Sequence, residues 1–302
     1  MKKYQLLLMS LLLMSNALNA QNLTQASIDK AREVIDQVVE AYGGSEKLNQ
    51  LNAVKIDFED SNMSVNQSRK PGPPWDVNQV KGSSIVDFEN QQFATTNQSI
   101  SDTRNFHNGT IINGEKSYQV YYRPNTATPI TEPSFMNTAG PFIRVTPALL
   151  VKQLMQRAYT AHYLGQADVE EKPHDVVTFT MEVGPSISLY FDQKDHLLNK
   201  SERYFGAFGK VGYRFYDYQK VDGIPFNQRF ELYVSGENNM KRQNIRTQVK
   251  QPIVKHTEFS DQMTQVAPIQ PDPLARQEIS VKASTSLAVM ALMPYLLKWM
   301  IT

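Results

Sequence analysis

The sequence predicts an α+β domain built on a curved antiparallel β-sheet. Three observations carry this. An amphipathic helical stretch, TQASIDKAREVIDQVVEAYGG, opens the body of the chain. From Val54 onward the hydrophobic period falls to two. One strongly apolar helical stretch, TPALLVKQLMQRAYTAHYLG, then stands between two series of hairpin-like runs.

Each element has its own signal. Lys2 and Lys3 precede an apolar run from Leu6 to Met14, and SNALNA ends at Ala20. That is the layout of a secretory signal peptide, so residues 1–20 are expected to be cut off and the mature chain to start near Gln21 in a periplasm. In the first helix Ile28, Ala31, Ile35, Val38 and Tyr42 recur at three- and four-residue steps. Thr24 or Ser27 caps it, Gly43-Gly44 stops it, and SEKLNQL adds a further turn.

In NAVKIDFED, Val54, Ile56 and Phe58 point one way while Lys55, Asp57 and Glu59 point the other. Similar runs at Ser84–Glu89, Gln92–Ile100, Thr110–Ile112 and Ser117–Tyr122 are punctuated by Asn108-Gly109 and Asn113-Gly114, the marks of a hairpin meander. The proline-rich RKPGPPWD, Arg69–Asp76, is a loop or an edge. The stretch Arg123–Phe142 is expected to be a long loop of the kind that covers a binding site.

The second helix is capped by Thr146, begins at Pro147 and is expected to run to about Tyr163 before Gly165. Leu150, Leu154, Ala158 and Ala161 form one stripe and Val151, Met155 and Tyr159 another, so both are expected to face inward. Strands resume with Val177, Phe179 and Met181 on one face, then Ile187, Leu189 and Phe191. Two long strands meet near Asp222-Gly223, and KRQNIRTQVKQPIV closes the series.

Composition excludes several functions. Hydrophobic residues make up 41% and charged residues 20%, as in a folded globular protein. A net charge of +1 without a basic stripe gives nucleic acid no surface to bind. There is no Cys, which excludes disulfides, thiolate metal sites and lipid attachment at the new N-terminus. The five His are scattered, and no pair has metal-ligand spacing, so neither a metal nor any other cofactor is expected. No G-x-S-x-G exists, and GAFGKVG lacks the ending of a phosphate loop and lies between strands, where a hairpin loop is expected. Of Asp57, Glu59 and Asp60, alternation sends the first two to solvent, against a carboxylate site. The chain is therefore not expected to be an enzyme.

The strands are rich in rings. Tyr213 and Phe215 share one face of their strand and Tyr216 and Tyr218 are expected on the other. Two readings stand: a well-packed core with tyrosines at its margin, or a concave sheet lined for an apolar ligand. On the second, Tyr213 and Phe215 with Tyr121, Phe135 and Phe142 form the ligand site, and Trp75 covers its mouth.

VVEAYGGSEKLNQLNAVKIDFE, RKPGPPWD, LYFDQKDHL and YDYQKVDGIPFNQRFELYVSGE together resemble the N-terminal periplasmic region found ahead of metallo-β-lactamase-fold hydrolases, from about Ala26 to Pro268. That region is similar to the lipoprotein carriers of the LolA and LolB type. The resemblance implies a half-barrel sheet wrapped around helices over residues 21–267, then a linker and an atypical apolar tail over 268–302. The H-x-H-x-D-H motif of the hydrolases has no counterpart here, so their activity does not carry over. Leu287 to Ile301, as a helix, would span about 22 Å against the roughly 30 Å of a bilayer core. No firm membrane span is expected, and the tail reads as a frameshift product, a docking helix or an anchor. The expected function is an exported, non-catalytic domain that binds an apolar small molecule, a lipid or an envelope protein. The alternative is a remnant of a hydrolase whose catalytic domain is missing.

Overall fold

The computed structural model describes residues 23–69, 71–101, 105–114, 116–206, 209–249 and 264–266. The expected signal peptide and the tail lie outside them. The amphipathic stretch is helical over residues 23–41 (α1) and stops at Gly43 and Gly44, both with positive φ. Ala31, Val34, Ile35, Val38 and Tyr42 turn one face of it into the core. A short helix follows, α2, Ser45–Gln50.

The strands come next: β1 (Ala53–Met63), β2 (Val77–Asp87), β3 (Gln92–Ile100), β4 (Asn105–Asn113), β5 (Tyr118–Tyr121) and β6 (Thr126–Pro129). After helices α3 (Phe135–Arg144) and α4 (Pro147–Gln156) come β7 (His162–Val169), β8 (Lys172–Thr180), β9 (Ser186–Asp192) and β10 (Leu198–Tyr204). The last are β11 (Lys210–Val221), β12 (Ile224–Val234), β13 (Glu237–Val249) and the two-residue β14 (Thr264–Gln265). They form one open, curved sheet in the order β14-β6-β5-β4-β3-β2-β1-β13-β12-β11-β10-β9-β8-β7. All neighbours are antiparallel except β14, which lies parallel on β6. Most steps are hairpins between sequence neighbours, while β1 pairs with β13 and thereby joins the two halves.

The three larger helices pack against one face of this sheet. The main core joins Val38 of α1 and Tyr42 just after it, Phe142 and Ile143 of α3, and Leu150 and Leu154 of α4 to the inward residues of the strands. The α+β class and curved antiparallel sheet expected from the sequence are what the fold shows. A second, smaller apolar cluster, with Ile85, Ala94, Ile111, Val120 and Ala127, lies on the opposite face of β2–β6, as the period-two alternation requires.

Helix α4 is buried from Pro147 through Leu154. Even its Lys152 turns in, donating from Nζ to the carbonyls of Asn49 and Leu51 and to Asn52 Oδ1 at 3.3, 2.8 and 3.2 Å. These contacts serve the orphan carbonyls at the end of α2, and burial lowers the Lys152 pKa from its ordinary value.

Four expectations need correction. The second helix does not reach Tyr163: it ends at Gln156, a 3-10 turn covers Ala158–Thr160, and HYLGQADV is the edge strand β7. Pairing with β8 outweighs local helix preference there, with a register shift between Tyr163 and Gly165. Tyr159, expected inward, is therefore 75% exposed. The stretch 123–142 is not a structureless loop, because it contains β6 and most of α3, whose cap Ser134 accepts from the Asn137 amide. Asn108-Gly109 is not a turn but lies inside β4, where a Cβ on Gly109 would come within 2.3 Å of the Thr95 carbonyl oxygen. Finally, Tyr218 does not face away from the core. Asp217 has φ 58°, which breaks the alternation and brings Tyr218 edge-on to Tyr42, with ring centroids 6.5 Å apart.

Candidate functional site

On the concave face α3 does not close fully onto the sheet. Thr138, Pro141, Phe142 and Val145, one helical stripe at three- and four-residue steps, form one wall of a half-open cavity of about 310 Å³. Phe58 of β1, Phe93 of β3, Tyr213 of β11, Phe230 of β12 and Met240 of β13 form the opposite wall. Phe142 meets Phe93 at 6.2 Å between centroids and Tyr213 meets Phe230 at 5.8 Å, so the rings line a continuous surface. Gly82 makes room for it: a Cβ there would come within 2.5 Å of the Phe58 ring.

The wall is not apolar throughout. Ser84, Thr95 and Thr110 line the cavity as a strip across β2, β3 and β4, fixed by their register. The Ser84 and Thr95 hydroxyls share a hydrogen bond of 3.0 Å. Arg242 also lines it. Its Nε and Nη2 donate to Asp60 Oδ1 and Oδ2, both at 2.6 Å, and its guanidinium lies 3.5 Å from the Phe58 ring centroid. The Asp60 side chain is 6% exposed and that of Arg242 13%, so this is a buried pair in fork geometry. Asp57 and Glu59 pair outward with Arg246 and Lys81, as alternation requires.

The ring residues chosen from sequence divide. Phe142 and Tyr213 stand together on the cavity wall. Phe215 lies behind them, 2% exposed and stacked on Tyr213 at 6.3 Å. Phe135, at the start of α3, packs edge-on against Phe88 at 5.8 Å and is not brought to the cavity. Tyr121 shares a concave-face row with Asn97 and Asn108 but is 42% exposed beyond the lining. Trp75 is half-buried just before β2 and outside the lining. Sequence reasoning missed Phe93, Phe230, Met240 and Arg242. One signal was available: Asp60 has the inward parity of Val54, Ile56 and Phe58, and an inward carboxylate demands a cation.

The described residues offer little else for chemistry. A larger opening of about 440 Å³ mixes the carboxylates of Glu170, Asp192, Asp195 and Asp217 with Lys172, Leu197 and Phe215. Among the described residues no group of three or more His, Asp or Glu could hold a metal ion. His174, fully buried, has Nδ1 2.8 Å from the Lys172 carbonyl oxygen and Nε2 3.1 Å from the Asn199 amide nitrogen, a satisfied structural histidine. Among the described residues no helix is long and apolar enough to cross a membrane.

No protein-family model matches the chain, and no curated protein matches it. Solved structures similar to it include a putative outer membrane lipoprotein-sorting protein domain from Vibrio parahaemolyticus. That likeness is at 8% identity, over 74% of this chain and 93% of the other, with a TM-score of 0.47. A LolA superfamily protein from Nitrosomonas europaea is similar at 11% identity, over 76% and 97%, with a TM-score of 0.45. A DUF1329 family protein from Desulfovibrio piger is similar at 11% identity, over 73% and 93%, with a TM-score of 0.44.

Proposed function

We propose that this chain is an exported, non-catalytic domain whose concave-face cavity takes up an apolar, lipid-like ligand. The observation that carries this reading is the space itself. Protein cores are packed to crystal density with few voids larger than a water molecule. About 310 Å³ left open beside Phe58, Phe93, Phe142 and Phe230 is not a packed core, and its size is at the small end of the ~300–1,000 Å³ usual for ligand pockets. The Thr strip and Arg242 supply the few polar contacts that orient a ligand in such sites. The arrangement of Lys2, Lys3, the Leu-rich run and Ala20 supports export.

The test is titration with an environment-sensitive apolar dye. Asn97 lines the cavity from β3, and Asn97→Phe would fill it with a residue suited to a strand. Saturable binding by the parent chain, weakened about tenfold or more in Asn97→Phe with an unchanged unfolding curve, is the expected outcome. Equal affinity in the two proteins would remove the cavity from the function.

A further inference from the structure

We propose that the occupant of the cavity is a single-chain anionic amphiphile whose phosphate or carboxylate headgroup is held by Arg144 and Arg203. This rests on the reading of the cavity as a ligand site and adds the charge of what it takes.

Arg144 is the last residue of α3, directly before Val145 on the cavity wall. Arg203 lies on β10, where the register pairs Ser201 with Tyr213 and Arg203 with Val211. By alternation Arg203 therefore shares the concave face with Tyr213, which lines the cavity. The two guanidiniums are brought near enough to act on each other: burial first, then the charge of Arg203, lowers the Arg144 pKa.

Neither arginine has a carboxylate partner among the described residues, whereas Arg242 on the same face is fully paired with Asp60. The Nε atoms of Arg144 and Arg203 are both buried without a hydrogen-bond partner. Beside them the Ser201 hydroxyl is fully buried and also unpartnered. Three buried donors and two like charges in one place are costly unless an anion compensates them. The negative end of α3 favours Arg144, but a helix end carries only about half a charge and offsets a fraction of two. Arg203 is further held over the Phe205 ring at 4.7 Å.

The chemistry this selects has a planar or tetrahedral anionic head joined to an apolar body. Guanidinium forks match phosphate and carboxylate oxygens, and the ring wall from Phe142 to Phe93 takes the chain. At about 310 Å³ there is room for one chain, not several.

The experiment titrates the full chain with dodecyl phosphate, dodecanol, dodecyltrimethylammonium and inorganic phosphate, below the concentrations at which the amphiphiles aggregate. Arg144→Gln and Arg203→Gln are measured alongside, each with its unfolding curve. Dodecyl phosphate is expected to bind about tenfold or more tighter than dodecanol, with dodecyltrimethylammonium weakest. Each Gln variant should erase that preference, leave dodecanol affinity unchanged, and keep or raise stability because a buried repulsion is relieved. Equal binding of dodecyl phosphate and dodecanol would overturn the headgroup assignment and leave the cavity reading standing. Inorganic phosphate binding as tightly as dodecyl phosphate would overturn the amphiphile. Absence of saturable binding by every twelve-carbon probe would overturn the cavity reading and this proposal together.

Discussion

Asp60 and Arg242 come from strands whose residues are 182 apart in sequence, yet they meet in a bidentate pair under the Phe58 and Phe230 rings. The net worth of such a pair against an apolar substitute is small, because both charges have left water. Breaking it from one side is another matter, since a guanidinium is left buried without its partner. Asp60→Ala is therefore expected to destabilise the fold by about 3–5 kcal/mol. The paired change Asp60→Leu with Arg242→Met should cost much less than the sum of the single changes. Denaturant unfolding of the three variants checks this, and additivity would mean that the two side chains do not act as a pair.

At the scale of the element, β11 shows how one backbone angle redirects a strand. Tyr213 and Phe215 obey the alternation, and Tyr216 turns outward to donate to Glu170 Oε1 at 2.9 Å. The positive φ of Asp217 then resets the phase and brings the Tyr218 hydroxyl to the Leu198 carbonyl. Tyr42, at the end of α1, closes the circuit by donating to Tyr218 and accepting from the Leu198 amide, both at 3.3 Å. Left-handed backbone costs a β-branched residue about 1–2 kcal/mol and glycine nothing. Asp217→Val should thus be less stable than Asp217→Gly by about that amount, the exposed contact with Arg229 being lost in both. Equal stabilities would show that the angle imposes no strain on the strand.

Across the whole molecule the buried tyrosines carry a pH dependence of one sign. Burial raises Tyr42 and Tyr218 well above the ordinary tyrosine value. Burial, and then hydrogen bonds to Glu202 and Glu170, raises Tyr190 and Tyr216, while burial and Asp175 push Tyr163 up to about 12. In the unfolded chain these hydroxyls ionise near pH ~10. Above that pH the unfolded chain gives up protons that the folded one keeps, so rising pH favours unfolding. The stability linked to these groups is complete below about pH 10 and is lost as the pH climbs through the folded values. Tyrosinate absorbance followed with circular dichroism should show ionisation and loss of the sheet arriving together. Tyrosinates that form near pH ~10 in an intact fold would count against it.

How much of this was legible follows from what each feature depends on. Side-chain period is local, so the sequence by itself determined α1, the burial of α4, the inward faces of β1, β8 and β9, and the Asp222-Gly223 turn, where both residues take positive φ. The same alternation placed Tyr213 and Phe215 on one face, and Tyr213, with Phe142, is the part of the cavity wall that could be foreseen. Edge strand β7 was not legible, because one exposed face and polar neighbours leave HYLGQADV with no signal until β8 pairs with it. Nor was the cavity. Its Thr strip depends on the register of three strands, and its width on where α3 settles. Asp60 with Arg242, and Arg144 beside Arg203, join residues far apart in the chain. Charges so distant in sequence become neighbours only when β1 pairs with β13 and when α3 packs onto the sheet that holds β10. That pairing is a long-range choice, made by burial across the whole domain, and no window of sequence contains it.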